Sequence, residues 1–217
     1  MALRNEPLGD QVARVLRRQI LSGERRPGDL LIEKSLSEEF GTSRGPVRDA
    51  LAQLAEDDLI AASGRSYRIL EVTGADIEEI YDLRFLLERH ALARAARTGA
   101  DLRLAREAIA QMDRAATRSD GTAFGLADLA FHRAFPHALG QRRLLSAWLA
   151  FERTLRTLME VNPHPMFDSA RAVDLHRELL RAVEEGDPVW EELLRAHLDE
   201  ARDRFVARYA SEAAQTP

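Results

Sequence analysis

Val12, Val15, Leu16 and Ile20 step by three and four, the spacing of one helix face, so the chain is expected to open with an amphipathic helix that ends near Ser22 and Gly23. The stretch GERRPGD then reads as a turn. LLIEKSLSEEF makes a second short helix, Gly41 to Ser43 a tight connection, and residues 44–58 a third helix with Val47, Leu51 and Leu54 inward. Helix, helix, three-residue turn, helix is the helix-turn-helix plan. LIAASGRSYRILEV follows, with β-prone ends around Ser-Gly-Arg-Ser, and predicts a two-stranded hairpin or wing.

After Thr73 and Gly74 the pattern is helical to about residue 210. The expected helices are 75–97, 101–118, 124–138, 141–160, 168–185 and 188–210, with breaks at Gly99, Gly121, Gly140, NPHP and GDP. The fold class is therefore mostly α. Residues 1–73 are expected to form a winged helix-turn-helix with a small β-wing, residues 74–211 an all-α bundle of six or seven helices, and residues 212–217 a polar tail.

Composition narrows this picture only slightly. At 45% hydrophobic and 31% charged, the 217 residues are globular in kind. The absence of cysteine excludes a disulfide scaffold or a thiolate metal site and suits a reducing cytoplasm, the expected location. No apolar run approaches the roughly 20 residues needed to span a bilayer, so no membrane partner is expected. A net charge of −5 argues against indiscriminate polyanion binding. Residues 1–72 carry 11 Lys and Arg against 12 Asp and Glu, a net −1, which leaves −4 for the remainder. Charge thus does not separate the halves, and the position of each group must.

The third helix puts Arg44 and Arg48 on its first turns, where the helix dipole disfavours cations. Ser43 is placed to cap that helix, and Pro46 falls in the first turn, where its missing N–H costs nothing. Arg44 and Arg48 lie four apart, opposite the Val47, Leu51 and Leu54 stripe. A recognition helix inserts such N-terminal residues into the DNA major groove, where arginine forks onto guanine or clamps phosphate. The alternative is a surface helix whose arginines only keep it soluble.

In the second half, polar groups interrupt apolar stripes. Asp128 and His132 share a face with Phe124, Phe131, Phe135 and Leu139; His176 lies with Ala172, Leu179 and Val183; His197 lies with Trp190, Leu193, Leu194, Leu198 and Ala201. Burying them unpaired costs about 1–3 kcal/mol each, so they are expected to share partners. One carboxylate and three imidazoles suit zinc first, or nickel, iron or manganese, with positions left for water or a carboxylate ligand. Cavity-lining histidines without metal are the rival reading. His90, His137 and His164 lack inward placement or partners and are expected at the surface.

PGDLLIEKSLSEEFGTSRGPVRDALAQLAEDDLI resembles the winged helix-turn-helix of the GntR superfamily, whose pattern runs Pro-Gly-Asp-x-Leu, Ser-Arg-x-Pro-Val-Arg-x-Ala-Leu, then a Leu before the wing. The resemblance spans residues 8–72. It implies that Lys34, Arg44, Gly45 and Arg48, with Ser43 at the helix start, contact groove and phosphate, and that Gly64 and Arg65 form the wing tip near the minor groove. Asp58 stands where the family usually has glycine, and Ser66 where the wing commonly has another. Over residues 75–210, IEEIYDLRFLLERHAL, DLAFHRAF, DLHRELLRAVEEGDP and LLRAHLDEA resemble the effector-binding (FCD-type) helical domain of the FadR branch. That resemblance implies a divalent metal held by Asp128, His132, His176 and His197, and a small carboxylate effector that completes the metal shell and pairs with a basic residue. Arg84, in the stripe Ile77, Tyr81, Arg84, Leu87, Ala91, is assigned that role, with a local ion pair to Glu88 as its alternative.

The expectation is a homodimeric transcriptional regulator that binds double-stranded DNA at a short inverted repeat under the control of that effector. A metal-responsive repressor would use the same residues with the ion as signal. A helical metalloenzyme is the rival from another class, but no Glu or Asp is expected inward beside the four ligands to act as general base. The expected answer is therefore a regulator without catalytic residues.

Overall fold

The structure, a computed structural model, describes residues 6–161 and 169–213. The chain divides into two compact units, Met1–Val72 and Thr73–Pro217.

In the first unit, α1 (Leu8–Leu21) buries Val12, Ala13, Leu16 and Ile20 and closes at Ser22, followed by left-handed Gly23. Val15, expected inward, is 42% exposed: at three residues from both Val12 and Arg18 it falls on the edge of the stripe. The second helix is shorter than its pattern. Leu30–Leu31 form a strand, β1, and α2 runs only over Glu33–Glu39. The cause is long-range pairing, since Gly28 N–H donates to Ile69 O (2.9 Å) and Ile69 N–H to Asp29 O (3.0 Å). The expected two-stranded wing, β2 (Ile60–Ser63) and β3 (Ser66–Ile69), thereby becomes a three-stranded antiparallel sheet of order β1-β3-β2, with Leu31 opposite Tyr67 and Ser63 opposite Ser66.

The recognition-type helix α3 (Arg44–Glu56) packs on α1 and α2 through Val47, Ala50, Leu51 and Leu54, all fully buried. It ends two residues before its expected limit because Asp58 takes a left-handed φ of 53°. Aspartate visits that region more readily than most residues, which explains how it stands where the family pattern favours glycine. Arg17 of α1 donates through Nε to Asp57 Oδ2 (3.0 Å), and both side chains are buried, so the end of α3 is tied to α1 by an ion pair as well as by packing.

The second unit holds six helices among the described residues: α4 (Gly74–Thr98), α5 (Arg103–Thr117), α6 (Gly121–Ala138), α7 (Arg142–Val161), α8 (Ser169–Glu185) and α9 (Trp190–Ala213). Thr73 and Asp76 form a reciprocal capping box that starts α4, and left-handed Gly99 ends it. The break expected at Gly121 lies earlier. Ser119 adopts φ 53° and Asp120 caps α6 by accepting from Ala123 N–H (2.9 Å), so Gly121 is already helical. The break expected at NPHP, and His164 within it, lie outside the described residues.

Helix α6 occupies the interior, touching α4, α5 and α7, while α9 packs on α4 and α8. Phe124, Phe131, Phe135 and Trp148 are fully buried, and Phe131 meets Phe135 edge to face at 5.2 Å. Gly125 allows the close approach of α7: a Cβ there would stand 3.1 Å from Met159 Cβ. Among the described residues no helix is long and apolar enough to cross a membrane.

Candidate metal centre and nucleic-acid interface

Asp128 and His132 are one turn apart on α6, and α8 and α9 bring His176 and His197 to the same point. One ligand atom from each of the four lies within 4.8 Å of all the others. His132 and His176 are buried to 0% and 1% exposure, while Asp128 and His197, at 13% and 14%, form the more open side. His132 Nδ1 lies 2.5 Å from Glu88 Oε2 and His176 Nδ1 lies 2.7 Å from Ala172 O, so each Nδ1 carries the proton and each Nε2 presents a lone pair. His132 Nε2 faces His197 Nε2 at 3.0 Å. His176 Nε2 is buried 3.0 Å from Asp128 Oδ1. Four ligand atoms thus meet at one point with the Nε2 lone pairs of His132 and His176 turned inward, and the donor set of three imidazoles and one carboxylate fits a divalent ion.

Burial works to raise the Asp128 carboxyl, but the imidazoles of His176, His132 and His197 hold it well below the usual carboxylate range. Burial, then the neighbouring imidazoles of His176 and His132, push His197 well below its ordinary value, so it is neutral and able to coordinate near pH 7.

Sequence reasoning missed Glu88. No acid was expected inward beside the four ligands, yet Glu88 is fully buried on α4, and the neighbouring Leu87, expected inward, is only half-buried. Its two oxygens are engaged away from the cluster, one by His132 and one by Arg84 Nε (3.0 Å). It orients His132 instead of facing a water as a base would. Burial alone would raise the Glu88 carboxyl, but His132 and Arg84 keep it below its ordinary value. Arg84 is buried in that pair, yet its Nη2 has no partner among the described residues, and its guanidinium lies 5.0 Å from the Tyr81 ring centre and 5.5 Å from that of Trp148. His90 and His137 are exposed, as expected.

On the first unit, Ser43, Arg44, Gly45 and Arg48 are exposed at the start of α3, opposite its buried stripe. Ser43 holds the N-cap position with an extended backbone, but its hydroxyl makes no capping bond, so the helix start keeps free N–H groups. Arg48 pairs with Glu33 of α2 at 3.2 Å, a partner the sequence did not announce. Lys34 of α2 lies 3.8 Å from Glu38, and both side chains are well exposed. Gly64 and Arg65 form the exposed two-residue loop between β2 and β3, with Gly64 at φ 63°.

A three-helix unit with a small sheet, joined in one chain to a six-helix bundle that gathers polar side chains in its interior, defines a class: winged-helix regulators with a helical sensor domain. Residues 8–67 match the gntR family of bacterial regulatory proteins, and residues 79–200 match the FCD domain. The chain belongs to the GntR family of regulators that carry an FCD domain, an architecture consistent with the FadR subfamily. It is 26% identical over 212 residues to the gluconate operon transcriptional repressor of Bacillus subtilis, spanning 94% of this chain and 87% of that one. The same-named repressor of Bacillus licheniformis is 27% identical over 186 residues, 82% of this chain and 76% of that one. Among solved structures, a GntR regulator from Rhodococcus sp. RHA1 superposes with TM-score 0.66 at 27% identity, covering 93% of this chain and 98% of that one. Escherichia coli McbR/YncC gives the same TM-score at 23% identity, covering 98% and 100%, and shows the shared fold. The family and these relatives are transcriptional regulators, so this chain is a regulator and not an enzyme.

Proposed function

We propose that this regulator binds a short inverted-repeat operator as a homodimer, and that a small carboxylate bound at a divalent metal in the helical unit controls that binding. The observation that carries the reading is the convergence of four ligand atoms beside a buried arginine with an unpartnered nitrogen. Asp128, His132, His176 and His197 would hold the ion, zinc in the first instance. When bound, the metal supplies Lewis-acid attraction for one carboxylate oxygen. Arg84 supplies a second anchor through Nη2 while its Nε stays on Glu88. The Bacillus relatives are named for an operon of gluconate, itself a carboxylate, which accords with this effector class.

At the DNA end, Arg44 and Arg48 would enter the major groove from the start of α3, with Ser43, Gly45 and Lys34 on phosphate and the Gly64–Arg65 loop at the minor groove. Where Arg48 takes a phosphate, it exchanges Glu33 for it, a cheap step for an exposed pair. An effector that binds one arrangement of the two DNA-binding units more tightly than the other shifts the population between them, and with it the fit to paired half-sites.

Two measurements test the two ends. Arg48→Ala is expected to weaken operator binding by about 1–3 kcal/mol in a gel shift with helicity unchanged, and wild-type affinity would remove Arg48 from the interface. Freshly purified protein is expected to carry about one metal per chain, and His176→Ala almost none. Equal metal in both would leave four buried residues bonded among themselves, and a metal lost on mild dialysis would make the ion itself the signal.

A further inference from the structure

Arg48 meets Glu33 with one side of its guanidinium only. Nε donates to Glu33 Oε1 and Nη2 to Oε2, each at 3.2 Å, so the carboxylate takes the side that carries the Nε–H. The two N–H groups on Nη1 and the outer one on Nη2 lie outside this two-point bond. One N–H from each terminal nitrogen then makes a planar end-on fork, the shape that matches O6 and N7 of guanine. Arg48 can therefore read a base without releasing Glu33.

The pair does little for folding. Arg48 is 68% exposed and Glu33 29%, and ion pairs so open to solvent contribute almost nothing to stability. Glu33 also stands in the first turn of α2, where the helix dipole favours an acid. That role asks for a carboxylate at this position but not for a two-point bond to Arg48. The hydrogen bond from Arg48, then the charges of Arg48 and Arg44, hold the Glu33 carboxyl below its ordinary value, so it is an anion near pH 7.

An anion beside the candidate DNA-contacting residues weakens the hold on phosphate whatever the base sequence. With 11 Lys and Arg against 12 Asp and Glu over residues 1–72, a net −1, no large positive field dilutes that effect. What Glu33 gives in return is orientation, and only a guanine uses it.

We propose that Glu33 is a positioning residue for sequence recognition. It aims the end-on fork of Arg48 at a guanine of the operator and cancels the charge that Arg48 would otherwise offer to the phosphates of any sequence. The proposal rests on the placement of Arg48 in the DNA interface above and adds how that arginine tells the operator from other DNA.

The test starts from an operator selected out of random duplexes by the full-length wild-type protein. Fluorescence anisotropy then compares three kinds of duplex: that operator, the operator with each guanine replaced in turn by 7-deazaguanine, which lacks the N7 acceptor, and a mixed-sequence duplex. Wild type is expected to lose about fivefold or more at the guanine that Arg48 reads, recognised as the one at which Arg48→Ala loses its sensitivity. Glu33→Ala is expected to shrink that penalty roughly threefold and to bind the mixed-sequence duplex about fivefold tighter, with a salt slope steeper by about one. Glu33→Gln keeps one acceptor for Nε but no charge. It is expected to retain more of the guanine penalty than Glu33→Ala and to share its tighter grip on mixed sequence, and it decides the question alone if Glu33→Ala does not fold. An unchanged penalty at that guanine in Glu33→Ala, or an unchanged mixed-sequence affinity in either variant, overturns the proposal and leaves Arg48 in the interface. Equal weakening on every duplex does the same, because it marks a damaged α2. If Arg48→Ala keeps wild-type sensitivity at every guanine, the proposal and the placement of Arg48 fall together.

Discussion

Glu88 shows how much a single side chain can decide. Its carboxylate fixes the proton of His132 on Nδ1 and so aims the Nε2 lone pair into the cluster, which makes it a positioning residue for the proposed metal. Glu88→Gln is expected to reduce metal affinity about 10–100-fold in a chelator competition, with the four ligand side chains untouched. Unchanged affinity would show that packing alone orients His132. The four candidate ligands were legible in the sequence because each interrupts an apolar stripe of helical period. Glu88 was not, since an acid four residues after an arginine reads as the far end of a solvated surface pair.

Among the elements, the helix order was readable throughout, but the third strand of the wing sheet was not. Leu30 and Leu31 continue the apolar pattern of α2, and what makes them a strand is backbone pairing to residues nearly 40 positions away, which no local window records. The left-handed turn at Ser119 was missed for a related reason, as the nearby Gly121 gave a stronger but misplaced signal. The end of α3 offers a stability test. Asp57→Ala leaves the Arg17 guanidinium buried without its anion, so the DNA-binding unit is expected to lose about 3–5 kcal/mol, visible as a lower urea midpoint of its own transition. A loss under 1 kcal/mol would mean that water reaches Arg17 freely.

For the molecule as a whole, acid and removal of the proposed metal would act on the helical unit in the same direction. His197 binds its proton less readily folded than unfolded, so the cost of keeping it neutral is absent above the unfolded value of about 6.5 and grows as pH falls below it. Asp128 and Glu88 are held below their ordinary values, so their contribution is present above about pH 4 and is lost as pH falls through their folded values. The urea midpoint of the helical unit, measured with chelator present, is therefore expected to drop between pH 7.5 and pH 5.5 and to fall further below pH 4. A midpoint flat down to pH 5.5 would contradict the depressed His197.

Arg84 bonded to Glu88, and Glu88 to His132, joins the anchor proposed for the acid to a ligand proposed for the ion. Affinities coupled in this way are reciprocal: whatever factor the ion adds to the hold on the acid, the acid must add to the hold on the ion. A cell rich in the metabolite would then strip metal from this regulator more slowly, and a cell starved of metal would become deaf to the metabolite at concentrations that once sufficed. Resistance to a chelator thus becomes an assay for the natural acid that requires no operator sequence.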